Sequence, residues 1–296
     1  MRWWVPGCGL LLAFTASGAP LAAEVPSQAT WSFAKRQIAL PNGQSLAVVE
    51  VGDPSLPPIL LVHGYTDNSR SFSLLAPHLA DSFRLLAVDL RGHGASSAPE
   101  CCYALTELAY DLRLVLDVLQ IERASLVGHS LGSMVGQVFA ARWPERVDRL
   151  VLIGSATSAS EVAARDGWLW ERVHALEAPI DPAAEFMQEW YASPTPVDPD
   201  FLEREIAESA AVPTHVWRGV LYELEITEFG RVLAGVEAPT LILWGEEDGF
   251  FGEADQDELR AALPEAELRA FAGLGHNLHW EDPAAVANAI GAFLTE

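Results

Sequence analysis

The fold is decided by residues 124–132, Ala124-Ser125-Leu126-Val127-Gly128-His129-Ser130-Leu131-Gly132. Ala124 to Val127 is a short apolar run of strand type. The apolar positions from Leu131 to Trp143 have helical spacing, and Pro144 stops them. Between the two elements Ser130 occupies a sharp strand-to-helix turn. Gly128 and Gly132 leave room where larger side chains would clash. Such a turn lifts the hydroxyl above a sheet, and the helix N-terminus beneath it favours a developing negative charge.

Working outward, the chain alternates strand and helix on both sides of this turn. Trp31 to Leu40 and Ser45 to Val51 read as strands around an Asn42-Gly43 turn. Ile59–Val62, Phe83–Val88 and Leu150–Ile153 are apolar runs of the kind covered on both faces. Ser71 to Ala80 reads as helical, and Leu105 to Leu119 carries apolar residues at helical spacing. From Thr157 to Gly230 no core-like strand is expected. Pro239–Trp244 resumes the strand pattern, followed by a helix at Asp257–Leu263, a strand at Glu267–Phe271 and a last helix at Pro283–Leu294. The alternation predicts an α/β fold with a mainly parallel, doubly wound sheet and working residues at the carboxyl ends of its strands.

A hydroxyl needs a base to become a nucleophile. Among the eight histidines, His276 lies just past the final strand, in Gly275-His276-Asn277-Leu278-His279-Trp280-Glu281-Asp282-Pro283. His279 is its nearest rival, with packing or lining of the entrance as its expected role. The acid is expected after the strand ending at Trp244, where Asp248 stands beside Gly249 and Glu247 is the weaker alternative. That acid holds one imidazole tautomer and stabilises its positive form. Two N–H donors for an oxyanion are expected at Leu131 and at Tyr65, in the His63-Gly64-Tyr65 loop. His63, His93 and Asp89 read as structural.

Composition narrows the partners. The chain has 296 residues and a formal net charge of -23, and Lys35 is its only lysine. Nucleic acid and anionic membrane surfaces are therefore poor partners, and neutral small molecules suit the balance better. The segment 157–230 carries 15 acidic and 4 basic residues, a net -11, with many large aromatics. No cofactor is called for. Cys101 and Cys102 lack metal-ligand spacing, so no metal site is expected; in an oxidising compartment they could pair with each other, pair between molecules or stay free. Arg2, the apolar Gly9–Ala19 run and the small residues before Glu24 read as an export signal over residues 1–23, which places the mature chain outside the cell or in the periplasm.

These motifs together resemble the α/β-hydrolase superfamily. The resemblance is carried by His63-Gly64-Tyr65, Asp89-Leu90-Arg91-Gly92-His93-Gly94, Gly128 to Gly132, Trp143-Pro144-Glu145-Arg146-Val147, Gly245 to Asp248, and Gly275 to Pro283, in family order. Within it the sequence is similar to small lidded esterases and lipases, and shares motifs with lactonases and carbon–carbon bond hydrolases. An aspartate would replace Ser130 in epoxide hydrolases and haloalkane dehalogenases, and His129 stands where proline iminopeptidases carry a glycine. The resemblance implies a catalytic triad of Ser130, Asp248 and His276. It also implies a helical lid after the sixth strand, at residues 157–232, between core parts 24–156 and 233–296. Trp168, Trp190 and Trp217 are the expected lid residues against the substrate. The implied activity is hydrolysis of neutral, hydrophobic esters through an acyl-enzyme. A lactone, amide or carbon–carbon bond hydrolase is the alternative, and a non-catalytic binder of the same fold the remote one.

Overall fold

In the computed structural model, which describes residues 24–227 and 230–296, eight strands form one sheet. They are β1 (Arg36–Ala39), β2 (Ser45–Val51), β3 (Pro58–Val62), β4 (Arg84–Val88), β5 (Ala124–His129), β6 (Val147–Ile153), β7 (Thr240–Gly245) and β8 (Glu267–Phe271). Their spatial order is β1-β2-β4-β3-β5-β6-β7-β8. The pairs β1/β2 and β2/β4 are antiparallel, and every other pair is parallel. The chain thus runs outward from β3 to β4 and then returns to the other side of β3 for β5. The order reverses between β3 and β5, and a crevice opens beyond the carboxyl ends of strands at such a point.

Helices flank the sheet: α1 (Ala76–Leu79), α2 (Leu105–Val118), α3 (Leu131–Arg142), α4 (Trp168–His174), α5 (Glu185–Trp190), α6 (Pro199–Ala210), α7 (Thr214–Ile226), α8 (Glu253–Ala262), α9 (Leu278–Glu281) and α10 (Pro283–Leu294). Successive residues of the central strands feed opposite faces. Leu60, Val62 and Leu126 pack with α2 and α3, while Ile59, Leu61 and Val127 pack with α10. Helices α4 to α7 all fall between β6 and β7, and this helical segment is called the insertion below. Their apolar sides belong to the same buried cluster as the sheet face above α2 and α3.

Two stretches differ from their expected form. Trp31 to Ala34 is a 3₁₀ turn, and the strand starts only at Arg36. Trp31 is wholly buried and donates its indole N–H to Ser69 (3.3 Å), whereas Phe33 is 88% exposed. This alternation imitates a strand, although the tryptophan is anchoring a turn. Ser71 to Ala80 holds the end of a 3₁₀ turn (Ser69–Phe72) and the single turn α1. Pro77 accounts for the break, because its ring conflicts with helix continuing from the preceding turn.

The Lys35 side chain is nearly enclosed at the junction between this N-terminal arm, the core and the insertion. Its ammonium lies 2.9 Å from the Asp89 carboxylate, 2.9 Å from Asn68 Oδ1 and 3.9 Å from Glu208 on α6. Cys101 and Cys102 are joined to each other in the loop before α2. Among the described residues no helix is long and apolar enough to cross a membrane. The expected export segment, residues 1–23, lies outside the described residues.

Candidate active site

Ser130 links β5 directly to α3 with φ 49° and ψ -119°, on the side of φ that L-residues avoid. Neighbouring backbone forces this turn. A Cβ on Gly128 would stand 2.4 Å from the Gly132 carbonyl oxygen, and one on Gly132 would stand 2.0 Å from that of Val62. Only glycine fits either position, so the two motif glycines let α3 start immediately above the end of β3. The Ser130 N–H donates to Ile153 O (2.9 Å), and the Ser133 hydroxyl donates to Ser130 O (2.6 Å).

Asp248 follows β7, and its two oxygens have separate partners. Oδ1 accepts from the N–H groups of Phe250 (2.8 Å) and Phe251 (3.1 Å); Oδ2 accepts from His276 Nδ1 at 2.9 Å. Burial works to raise the Asp248 carboxyl, but the facing His276 and the two N–H donors outweigh it and hold it below the usual carboxylate range. With Nδ1 against the Asp248 carboxylate, Nε2 is the ring nitrogen not engaged by that carboxylate, and His276 lines the cavity described next. The His276 loop is itself braced, since Gly275 N–H donates to Glu281 Oε1 (2.9 Å). Glu247, the alternative acid, is exposed.

Ser130 and His276 line one narrow cavity of about 50 Å³, together with Tyr65 and Leu131. No hydrogen bond joins the Ser130 hydroxyl to His276 among the described residues. Such contacts are often long before substrate binds. The walls are apolar: Met134, Leu169, Leu221, Leu224, Phe250 and Phe251. No lysine or arginine is among the described lining residues.

The rival histidine stands elsewhere. His279 is fully buried, contacts Ser71 Oγ through Nε2 (3.0 Å) and is pushed well below the usual imidazole range, first by burial and then by His129 and His276. His63 donates from Nδ1 to Gly64 O (2.8 Å) and accepts from Leu90 N–H (2.9 Å), which fixes a structural role. Asp89 accepts from the N–H groups of Ser69 and Ala95 and pairs with Lys35.

Of the three expected insertion residues, Trp190 lines the cavity. Trp168 and Trp217 are not on its wall. Trp168 is 44% exposed, and Trp217 is wholly buried behind the wall, packed on Tyr65, Phe186 and Trp190. Composition finds the aromatics of a helical segment, but only the helix's rotation decides which of them face a cavity. Sequence reasoning misses four polar residues on the wall: Asp67, His129, Tyr191 and Asn277. Each stands within three residues of a motif position or an expected lining residue, and that proximity is the one signal the sequence offers for them. His129 presents Nε2 to the His276 carbonyl (3.2 Å) while its ring lies 4.9 Å from that of His276.

Comparison with known proteins agrees with this architecture. A family model described as the alpha/beta hydrolase fold matches residues 57–283. Esterase YbfF of Escherichia coli (strain K12) is 30% identical over 248 residues, covering 81% of this chain and 93% of that protein. The crystal structure of a hydrolase from Pseudomonas aeruginosa PA01 is similar with a TM-score of 0.79 at 30% identity, over 88% of this chain and 98% of that one. E-2-(acetamidomethylene)succinate hydrolase is similar with a TM-score of 0.78 at 25% identity, over 88% and 99% of the two chains. With its strand order, its forced serine turn and a family match over residues 57–283, the chain belongs to the α/β-hydrolase fold family.

Proposed function

We propose that this protein hydrolyses carboxylic esters of neutral, hydrophobic small molecules through an acyl-enzyme on Ser130. One observation carries the reading. The strained Ser130 turn opens onto an apolar cavity that also holds His276, whose Nδ1 is bound to a buried Asp248. In this reading His276 Nε2 takes the Ser130 proton while Oγ attacks the ester carbonyl carbon. The carbonyl oxygen becomes an oxyanion, held by the backbone N–H groups of Tyr65 and Leu131. Collapse of the tetrahedral intermediate expels the alcohol, which receives the proton from His276. Water then repeats the sequence on the acyl-enzyme, releasing the acid and restoring Ser130.

Neutral substrates are favoured because the described lining has no cationic side chain to meet an anion. The net -11 of segment 157–230 adds long-range repulsion. E-2-(acetamidomethylene)succinate hydrolase, by contrast, is named for a dicarboxylate. We read the insertion as a lid that closes the acyl or alcohol side of the pocket. We also propose export by residues 1–23, a reading supported by their signal-like pattern.

The test is covalent labelling with a small fluorophosphonate, combined with turnover on matched neutral esters, lactones and amides. Ser130→Ala abolishes labelling and lowers ester turnover by about 10⁴- to 10⁶-fold. Undiminished labelling of the alanine variant overturns the assignment, and faster turnover of lactone or amide than of ester overturns the substrate class.

A further inference from the structure

Four successive residues after β3 are each hydrogen-bonded to the insertion. The Tyr65 hydroxyl donates to the Trp217 carbonyl of α7. Trp190 Nε1–H, at the end of α5, donates to Thr66 Oγ1 (3.0 Å). The Tyr191 hydroxyl donates to Asp67 Oδ1 (3.1 Å). Asn68 donates through its backbone N–H (3.2 Å) and its Nδ2 (3.3 Å) to Glu205 Oε1 on α6. The Tyr65 ring also meets Trp190 and Trp217 edge-on, with centroids 5.7 and 5.5 Å away.

This stretch needs outside support. Thr66 is β-branched yet sits at φ 70°, a conformation such residues keep only when their surroundings impose it. Residues 65 to 68 are all buried, so a group that loses its partner there gains no water in exchange. The core supplies little for residues 65 to 67. Asp67 N–H reaches Gly64 O at 3.3 Å, the Ser71 hydroxyl reaches Asp67 Oδ2 at 3.5 Å, and His129 Nδ1 lies 3.7 Å from that same oxygen, beyond hydrogen-bond distance. Firm core anchors resume only beyond them, where Lys35 binds Asn68 and Asp89 accepts from Ser69.

From this geometry we propose that the insertion is the scaffold of the oxyanion loop, with Trp190 and Tyr191 as positioning residues for transition-state stabilisation. The inference rests on the reading of Ser130 as nucleophile and Tyr65 N–H as oxyanion donor. The direction of that N–H is set by ψ of Gly64 and φ of Tyr65, and these are held only if the chain that follows, at Thr66 and Asp67, is itself fixed. Trp190 and Tyr191 grip the side chains of the two residues that follow Tyr65. Losing either grip lets the Tyr65 peptide plane turn away from the oxyanion, which exists only during reaction. The loss therefore falls on kcat, while ground-state binding of a short substrate barely changes.

Trp190→Phe and Tyr191→Phe test this, because each removes the donor and keeps an aromatic ring. For a short neutral ester such as p-nitrophenyl acetate, kcat falls about 10-fold in each variant, below the roughly 10²- to 10³-fold cost of deleting an oxyanion donor outright. KM stays within about twofold. A trifluoromethyl ketone, whose adduct with serine carries the same oxyanion, loses affinity by the factor lost in kcat/KM. A neutral alcohol of similar shape binds as before. If KM rises at unchanged kcat, or if melting temperature falls while kcat/KM and ketone affinity stay at wild-type level, the contacts only pack the insertion and the proposal is overturned. Fluorophosphonate labelling separates the two layers of inference. Wild-type labelling at a residue other than Ser130 overturns the reading beneath the proposal; normal labelling at Ser130 with unaltered kinetics in both variants overturns the positioning role alone.

Discussion

The floor and the roof of the cavity are built on different principles. The floor is backbone: the turn at Ser130, the ends of β3 and β5 in register, and the loop after β7 that presents Asp248. Its geometry follows from where no side chain can fit, as at Gly128 and Gly132. The roof is side chain: Leu169, Trp190, Leu221 and Leu224 from three helices of the insertion. Its geometry depends on how each helix is rotated. A site assembled from backbone constraints tolerates few sequences and so leaves a recognisable motif. A wall assembled from apolar side chains tolerates many, and it is free to set selectivity.

The sharpest way to break this contrast is at the floor, with two histidines three residues apart. His276→Ala removes the proposed base, which is bound to Asp248, and lowers kcat by about 10⁴-fold or more. His279→Ala leaves a cavity beside Ser71 and lowers the melting temperature, while kcat remains within about 10-fold of wild type. Steady-state kinetics and thermal unfolding of both variants check this, and a reversed pattern moves the base to His279. A smaller effect is expected at the roof. Leu224→Ala or Leu169→Ala widens the pocket and changes the ranking of acyl or alcohol chain lengths by about 10- to 200-fold in relative kcat/KM. The rate of fluorophosphonate labelling at Ser130 changes much less. An unchanged ranking would show that the two leucines face space the substrate never enters.

The smallest effect concerns the seam between floor and roof. Glu205 is fully buried, and burial, followed by the nearby Asp67 and Glu208 carboxylates, pushes its carboxyl well above the usual range despite Lys35 and Arg70. Between the unfolded carboxyl value of about 4.3 and the higher folded one, the native protein holds more protons than the unfolded chain. Its stability therefore falls as pH rises through that window. Glu205→Gln keeps an acceptor for Asn68 and removes this dependence. The variant gains melting temperature relative to wild type at pH 8, by about 2–4 °C for each kcal/mol recovered, and loses that advantage below about pH 4. Melting curves across pH decide it, and a difference independent of pH refutes the titration of Glu205 as its source.

Legibility in the sequence follows the same division. The central strands are readable because both of their faces are covered, and a wholly apolar run of that length between turn residues suits a buried strand better than a short helix. Asp248 and His276 are readable as positions after strands, and the structure brings them to 2.9 Å. Trp168 and Trp217 are not separable from Trp190, since all three are large aromatics in helical stretches and their facing depends on packing. The ties of Thr66 and Asp67 to Trp190 and Tyr191 span 124 residues of sequence, so no local pattern could announce them.

Lys35 has a practical consequence. It is the only lysine in 296 residues, and its ammonium is shut between Asp89, Asn68 and Glu208. A lysine-specific endoprotease therefore finds one cutting site, and it reaches that site only when the arm, core and insertion part locally. The rate of that single cut reports the opening of one seam, without any engineered label. Amine-directed dyes and cross-linkers likewise find no accessible lysine on the folded molecule, so lysine modification can serve as a count of molecules in which that seam has opened.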